Sequence, residues 1–250
     1  MGGKAEYGNW VSQRLIYLPC LFGLVFLALG LISWVLLIPA ALLFLLSAYF
    51  LYVRHQFSPR GGGVQEKAWN LLLDNLQWMG EGKALDIGCG NGALAIMLAQ
   101  RSPRAEVIEI DYWGKRWEYS KEVCERNAAM EGVSDRVSFR KASATALPFG
   151  DGYFDAVVSN FVFHEVGDAR DKRELVREAL RILRKGGKFS FQDEFLFRQF
   201  YGEVDDLIRV IRSWGISEVE FVRSRDAEFV PWALKVPFIL GAMGIIRGEK

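Results

Sequence analysis

The chain has 250 residues, enough for one substantial domain and a small appendage. Its formal net charge of +1 excludes a global field that would draw in nucleic acid or a strongly acidic partner. Three cysteines, Cys20, Cys89 and Cys124, are odd in number and unpaired in spacing. They indicate neither a disulfide framework nor a zinc site, and a reducing compartment is expected for the folded domain.

Charge is absent from Leu15 to Val53, and only Lys4, Glu6, Arg14 and Arg54 precede Arg60. As one helix these residues would run roughly 58 Å, about twice the ~30 Å hydrocarbon core of a bilayer. Two helices fit better, with a break near Gly30 to Ser33 and spans of about Leu15–Leu29 and Trp34–Val53. Pro19 and Pro39 then fall early in each helix, where proline costs least. A single tilted span with a re-entrant stub competes with this transmembrane helical hairpin. A cleaved signal peptide does not, since the apolar run is too long and "LLFLLSAYFLYVRH" offers a poor cleavage site. Lys4 and Arg14 before the run and Arg54 and Arg60 after it place both ends, and the domain that follows, on the cytoplasmic side. Tyr7, Trp10, Tyr17, Tyr49 and Tyr52 supply aromatic rings for the interface. The expected division is a membrane anchor over 1–60 and a soluble domain over 61–250, joined by the turn-rich "SPRGGG".

Helical spacing of Val64, Ala68, Leu71, Leu72 and Asn75 predicts a helix over Val64–Trp78. After "GEG", "KALDI" reads as a short buried strand. Helix over Gly92–Arg101, strand over Glu106–Ile110, helix over Lys115–Glu131 and strand over Val137–Arg140 follow. Asp155–Ser159 is again strand, Asp171–Leu183 helix and Lys188–Gln192 strand. This alternation predicts a doubly wound α/β sheet with its ligand at the carboxyl ends of the strands. In the tail, "VDDLIRVIRSWG" is an amphipathic helix, "ISEVEFV" a strand and "FILGAMGIIRG" a last apolar strand. Residues 229–246 are too often interrupted by Pro231, Lys235 and Pro237 to be another membrane span.

The stretch "KALDIGCGNGALAI" puts Gly88, Gly90 and Gly92 between a strand and a helix. Without a Cβ, such a turn lets backbone approach a ligand closely. By itself the pattern also satisfies the dinucleotide fingerprint with Ala93 in the last place, and Asp111 suits the ribose in either case. The surroundings narrow the choice. "LDIGCGNG", "IEIDYW", "ATALPFGDGYFDAVVSNFVFHEV" and "ALRILRKGGKFSFQDE", in this order, resemble class I S-adenosylmethionine-dependent methyltransferases from about Val64 to the C-terminus. The nearest branch is that of the ubiquinone/menaquinone and lipid methyltransferases.

The resemblance implies a Rossmann-like, seven-stranded sheet with its last strand antiparallel, and S-adenosyl-L-methionine as cofactor. It implies that Gly88, Cys89, Gly90 and Gly92 line the methionine and ribose part of the cofactor. Asp86 would face its amino group through water, and Asp111 would take the ribose hydroxyls. Tyr112 would pack on the adenine, the backbone at Ser143 and Ala144 would read its edge, and the Asn160 carbonyl would meet the methionine amine. Two departures stand out: Ser143 replaces the family's usual acid, which weakens one adenine bond, and Lys185 replaces a proline before "GG".

On the acceptor side, His164, Glu165, Asp193 and Glu194 follow the fourth and fifth strands. His164 reads as a general base or a holder of the acceptor's polar group, against a loop histidine bonded to backbone. Phe195, Phe197, Phe200 and Tyr201 read as the wall of an acceptor channel or as the packing face of a helix. The expected activity is methyl transfer to a small lipophilic acceptor near the membrane, with no nucleic acid and no metal involved. A nicotinamide-dependent oxidoreductase and a non-catalytic membrane protein are the alternatives.

Overall fold

A computed structural model of the chain describes residues 4–88, 90–113 and 119–250. They divide into two compact units, residues 8–68 and residues 4–7 together with 69–250.

The first unit is a helical hairpin. Helix α1, Arg14–Leu29, and helix α2, Leu37–Phe57, run antiparallel, joined by a turn and one 3-10 turn, Trp34–Leu36. At the turn, a Cβ on Gly30 would lie 2.3 Å from Leu37 Cδ2 and 2.9 Å from the Leu27 carbonyl oxygen, so a side chain here would push the Leu37 tip aside. Along the seam, Ser47 Oγ donates to the Ile16 carbonyl at 3.0 Å. The open end is latched by Asn9, whose Nδ2 donates to the Arg54 carbonyl at 3.0 Å, while the Arg54 guanidinium donates to the Val11 carbonyl. Trp10 packs on Phe57 at 5.6 Å between ring centres. Away from the seam, Leu21, Phe22, Leu24, Leu42, Leu45 and Leu51 stand exposed. Among the described helices, one, Trp34–Phe57, is long and apolar enough to cross a membrane, and Arg14–Leu29 is shorter.

The second unit is a seven-stranded sheet in the order β3-β2-β1-β4-β5-β7-β6. Its strands are β1 Glu81–Ile87, β2 Arg104–Asp111, β3 Val137–Lys141, β4 Phe154–Asn160, β5 Leu183–Asp193, β6 Glu218–Val222 and β7 Gly244–Glu249. Only β7 is antiparallel, to β5 and to β6. The central parallel strands are buried on both faces and so read as continuous apolar runs, such as Val107–Ile108 and Ala156–Val158. Helices α3 Val64–Asp74, α4 Ala93–Arg101, α5 Lys121–Met130, α6 Arg173–Arg181, the single turn α7 Arg198–Tyr201 and α8 Val204–Ser213 complete the element order. Strand order reverses between β1 and β4, which opens a crevice at their carboxyl ends.

The expected elements are present, with shifted ends. Helix α3 stops at Asp74 rather than Trp78, where Asn75 Nδ2 folds back onto the Leu71 carbonyl at 2.8 Å and Gln77 turns to φ 50°. Helix α5 begins at Lys121 rather than Lys115, because Ser120 is extended and its Oγ accepts from Val123 N at 3.3 Å; residues 114–118 of that expected helix lie outside the described residues. Strand β5 starts five residues before Lys188, at Leu183, and its pairing to β4 shifts register between Phe154 and Ala156. The last strand is shorter than "FILGAMGIIRG", since Pro237–Gly241 forms a π-helical turn instead.

Candidate active site

The glycine loop joins β1 to α4. Gly88, Gly90 and Gly92 have φ of 77°, 61° and 87°, a region that side chains bearing a Cβ rarely occupy. A Cβ on Gly88 would lie 2.2 Å from Val162 Cγ2, so the end of β4 can reach the loop only because residue 88 is glycine. Cys89, expected to line the cofactor, lies outside the described residues.

Asp111, ending β2, clamps this loop. Its Oδ2 accepts from Gly90 N at 2.9 Å and its Oδ1 from Trp113 N at 2.8 Å. Each oxygen keeps a second lone pair for a ribose hydroxyl. Asp86 is buried at the strand end, and its Oδ2 has no hydrogen-bond partner among the described residues. Burial, reinforced by the nearby Asp111 charge, raises its carboxyl well above the ordinary range. A buried, unpartnered acceptor beside a side-chain-free cradle suits a ligand that brings a cation and hydroxyl groups, so these residues fit the methyl donor.

Tyr112 is 65% exposed, with the Lys141 ammonium 5.3 Å from its ring centre. Ser143 Oγ is 2.8 Å from Thr145 Oγ1, and Ala144 beside it is buried. Asn160 ends β4, its Oδ1 accepting from Gln192 Nε2 at 2.8 Å. The sheet thus gathers Asp86, the three glycines, Asp111 and Asn160 at the carboxyl ends of β1, β2 and β4.

Beyond Asn160 the chain turns through Phe161, a non-glycine residue at φ 55°, into a 3-10 turn, Phe163–Glu165. That turn brings His164 to Asp193, the last residue of β5. His164 Nδ1 lies 2.7 Å from Asp193 Oδ1. The buried Asp193 carboxylate is held by two backbone donors as well, Phe163 N at 2.9 Å and Glu194 N at 2.7 Å. Burial alone would lower the imidazole pKa, but the Asp193 charge and hydrogen bond, then Glu194 and Glu165, outweigh it and raise it to about 9. Glu165 Oε1 stands 3.8 Å from the other ring nitrogen, Nε2. Phe200 stacks on the imidazole at 6.2 Å between ring centres, and Phe161 meets it edge-on at 6.2 Å. The four expected aromatics divide: Phe195 and Tyr201 are core, whereas Phe197 and Phe200 are half-buried on the histidine's side.

Two residues escaped the sequence reading. Tyr119 lies against the loop, with ring carbons 3.4 Å from where a Gly90 Cβ would be, and burial followed by the Glu165 and Asp111 charges raises its phenol to about 12. Asn127, wholly buried on α5, donates to the Asn91 carbonyl at 2.9 Å and to the Glu6 carbonyl at 3.0 Å, and accepts from Glu6 N at 3.0 Å. It ties the N-terminal segment to the glycine loop as a strand partner would. A polar residue within an amphipathic helix carries no local signal of that task.

The sheet order, the antiparallel β7, the glycine turn after β1 and the acid ending β2 define a Rossmann-like methyltransferase fold. Residues 85–191 match the methyltransferase-domain family. The demethylmenaquinone methyltransferase of Thermus thermophilus is 37% identical over 106 residues, which cover 42% of this chain and 44% of that protein. The 27-O-demethylrifamycin SV methyltransferase of Amycolatopsis mediterranei is 34% identical over 162 residues, covering 63% of this chain and 57% of that one. The chain therefore spans about half the length of these curated relatives. Among solved structures, the YcgJ protein of Bacillus subtilis superposes with a TM-score of 0.52 at 19% identity, over 74% of this chain and 98% of that one. Residues 85–191 are thus similar to a methyltransferase domain.

Proposed function

We propose that the protein transfers a methyl group from S-adenosyl-L-methionine to a lipophilic acceptor bearing an acidic hydroxyl, such as a quinol, at a membrane surface. The observation that carries the reading is the His164–Asp193 pair at the carboxyl ends of β4 and β5, beside the glycine loop. The cofactor supplies an electrophilic methyl on a sulfonium. The chain's own residues then have to hold it, orient the acceptor and manage one proton.

Gly88, Gly90 and Gly92 form the cradle, Asp111 takes ribose hydroxyls, and Asp86 faces the methionine ammonium through water, where that positive charge favours the ionised form of its carboxyl. Tyr112, Ser143 and Ala144 face the adenine, and the Asn160 carbonyl completes the amine's partners. On the other side, His164 Nε2 meets the acceptor oxygen. With Nδ1 bonded to Asp193, a pKa of about 9 lies close to that of a phenol near 10, so once His164 has given up its own proton, taking the phenolic one costs about 1–2 kcal/mol. The phenolate so formed is the nucleophile at oxygen, or activates a ring carbon. Asp193 positions the imidazole and supports its charge, and Glu165 borders the same nitrogen.

The relative acting on demethylmenaquinone supports a quinol-like acceptor. The exposed apolar faces of α1 and α2 support a hairpin seated in a bilayer, with its ends and the catalytic domain on the cytoplasmic side. A nicotinamide-dependent oxidoreductase shares the glycine loop but has no use for the family match over residues 85–191. Membranes containing the protein, incubated with methyl-labelled cofactor, should yield a labelled product in the lipid extract. Labelled product confined to the aqueous phase, or hydride transfer from a nicotinamide without methylation, would overturn the reading.

A further inference from the structure

Between β6 and β7 the chain leaves the sheet and builds a fixed projection. A 3-10 turn, Trp232–Leu234, leads into the π-helical turn Pro237–Gly241. Leu234 and Leu240 are buried and anchor it. Leu234 N donates to the Pro231 carbonyl at 2.9 Å, Gly241 N to the Val236 carbonyl at 2.8 Å, and Arg225 Nη1 to the Gly241 carbonyl at 2.8 Å. Held this way, the segment turns its largest apolar side chains outward: Trp232 is 86% exposed, Phe238 81% and Val236 38%. Lys235 lies among them. A rigid loop that spends two leucines on anchoring while showing water an indole and a phenyl ring is shaped for contact with an apolar phase.

This surface is continuous with the candidate active site. The Phe238 ring lies 6.3 Å from Phe197, Phe197 lies 5.1 Å from Phe200, and Phe200 stacks on His164 at 6.2 Å. Aromatic rings thus run without a break from an exposed residue to the imidazole.

We propose that the projection docks on a phospholipid bilayer, with Trp232 and Val236 entering its interfacial layer, and that Phe238, Phe197 and Phe200 line the path by which a lipophilic acceptor passes from the bilayer to His164. The inference rests on the lipophilic-acceptor reading above and adds the route. Indole and phenyl rings beside a lysine are the composition of the membrane–water boundary, where amphipathic rings and cationic heads are both accommodated. A protein partner could also be gripped by an exposed tryptophan. The bilayer is favoured because the same chain carries an apolar helix long enough to enter one.

The test uses the full chain in liposomes of phosphatidylcholine and phosphatidylglycerol containing a phospholipid with a photoactivatable diazirine in its acyl chain. After irradiation and trypsin digestion, label is expected on the peptides 226–235 and 236–247. The Trp232→Ser, Val236→Ser double variant should lose that label. Its kcat/KM on a long-chain naphthoquinol in the liposomes should fall about tenfold or more, with turnover of a short-chain naphthoquinol and cofactor affinity kept within about twofold. Absence of label from both peptides, an equal loss on both quinols, or unchanged turnover on the long-chain quinol would overturn the proposal, the last leaving the patch to a protein partner. If the unaltered protein methylates neither quinol, the acceptor reading fails, and the proposed acceptor route fails with it; the lipid label still decides the docking surface by itself.

Discussion

Replacing Asp193 by asparagine separates the charge of the histidine's partner from its shape. The carboxylate is fully buried and accepts from Phe163 N, Glu194 N and His164 Nδ1. The amide keeps one acceptor oxygen, so in its best orientation it bonds His164 and Glu194 and turns its NH2 on the Phe163 N–H. The Phe163 N–H loses its acceptor and the amide NH2 faces it donor to donor, at a cost of about 1–3 kcal/mol for each unpaired group. The imidazole loses its counter-charge, and burial, which lowers its pKa, is no longer outweighed by that charge. It should fall from about 9 toward its ordinary value of 6.5, with the Glu194 and Glu165 charges still opposing burial. That is about 3 kcal/mol of proton affinity. In the unaltered protein the raised value stabilises the fold fully below pH 6.5, and the contribution disappears as pH rises through 9. Two assays follow. Denaturant unfolding should show the variant's deficit largest near pH 6 and smaller by about 3 kcal/mol near pH 10. The rising limb of kcat/KM against pH should move from near 9 toward 6.5, with a plateau roughly tenfold lower or more, because the base is weaker. A limb that stays near 9 in the variant would refute both the pairing and the role of His164.

Three further outcomes are expected. Gly88→Ala forces a Cβ onto Val162 at 2.2 Å in a left-handed backbone, so thermal unfolding should show a loss of about 1–3 kcal/mol and calorimetry a weakened cofactor; unchanged affinity would place the cofactor elsewhere. Asp111→Ala should weaken cofactor binding by about 3–6 kcal/mol, since two hydrogen bonds to a charged group are lost and Gly90 is released, and a change under about half a kcal/mol would remove Asp111 from the ribose. Asn127→Ala strands Glu6 and the Asn91 carbonyl, so cofactor affinity should drop several-fold, an effect that deleting residues 1–7 should reproduce; normal affinity in both would show that the tie to the N-terminal segment is only structural.

Local chemistry determined much of this protein before any packing was considered. The uncharged run from Leu15 to Val53 with glycine in its middle has few ways to satisfy its backbone except as paired helices, and a hairpin is what forms. Alternating apolar runs and amphipathic stretches dictate a doubly wound sheet, and three glycines between a strand and a helix mark a turn whose left-handed backbone needs them. What sequence periodicity does not carry is contact between distant residues. His164 and Asp193 are 29 positions apart, and only the parallel pairing of β4 with β5 sets their strand ends side by side. The bond then converts a histidine titrating near 6.5 into one at about 9. Asn127 reaches back 121 positions to Glu6, which no pattern in either segment foretells. The outward Trp232 and Phe238 look like core residues in the sequence, because hydrophobicity predicts burial on average. Only the anchoring of Leu234 and Leu240 in the fold decides that their neighbours point into solvent.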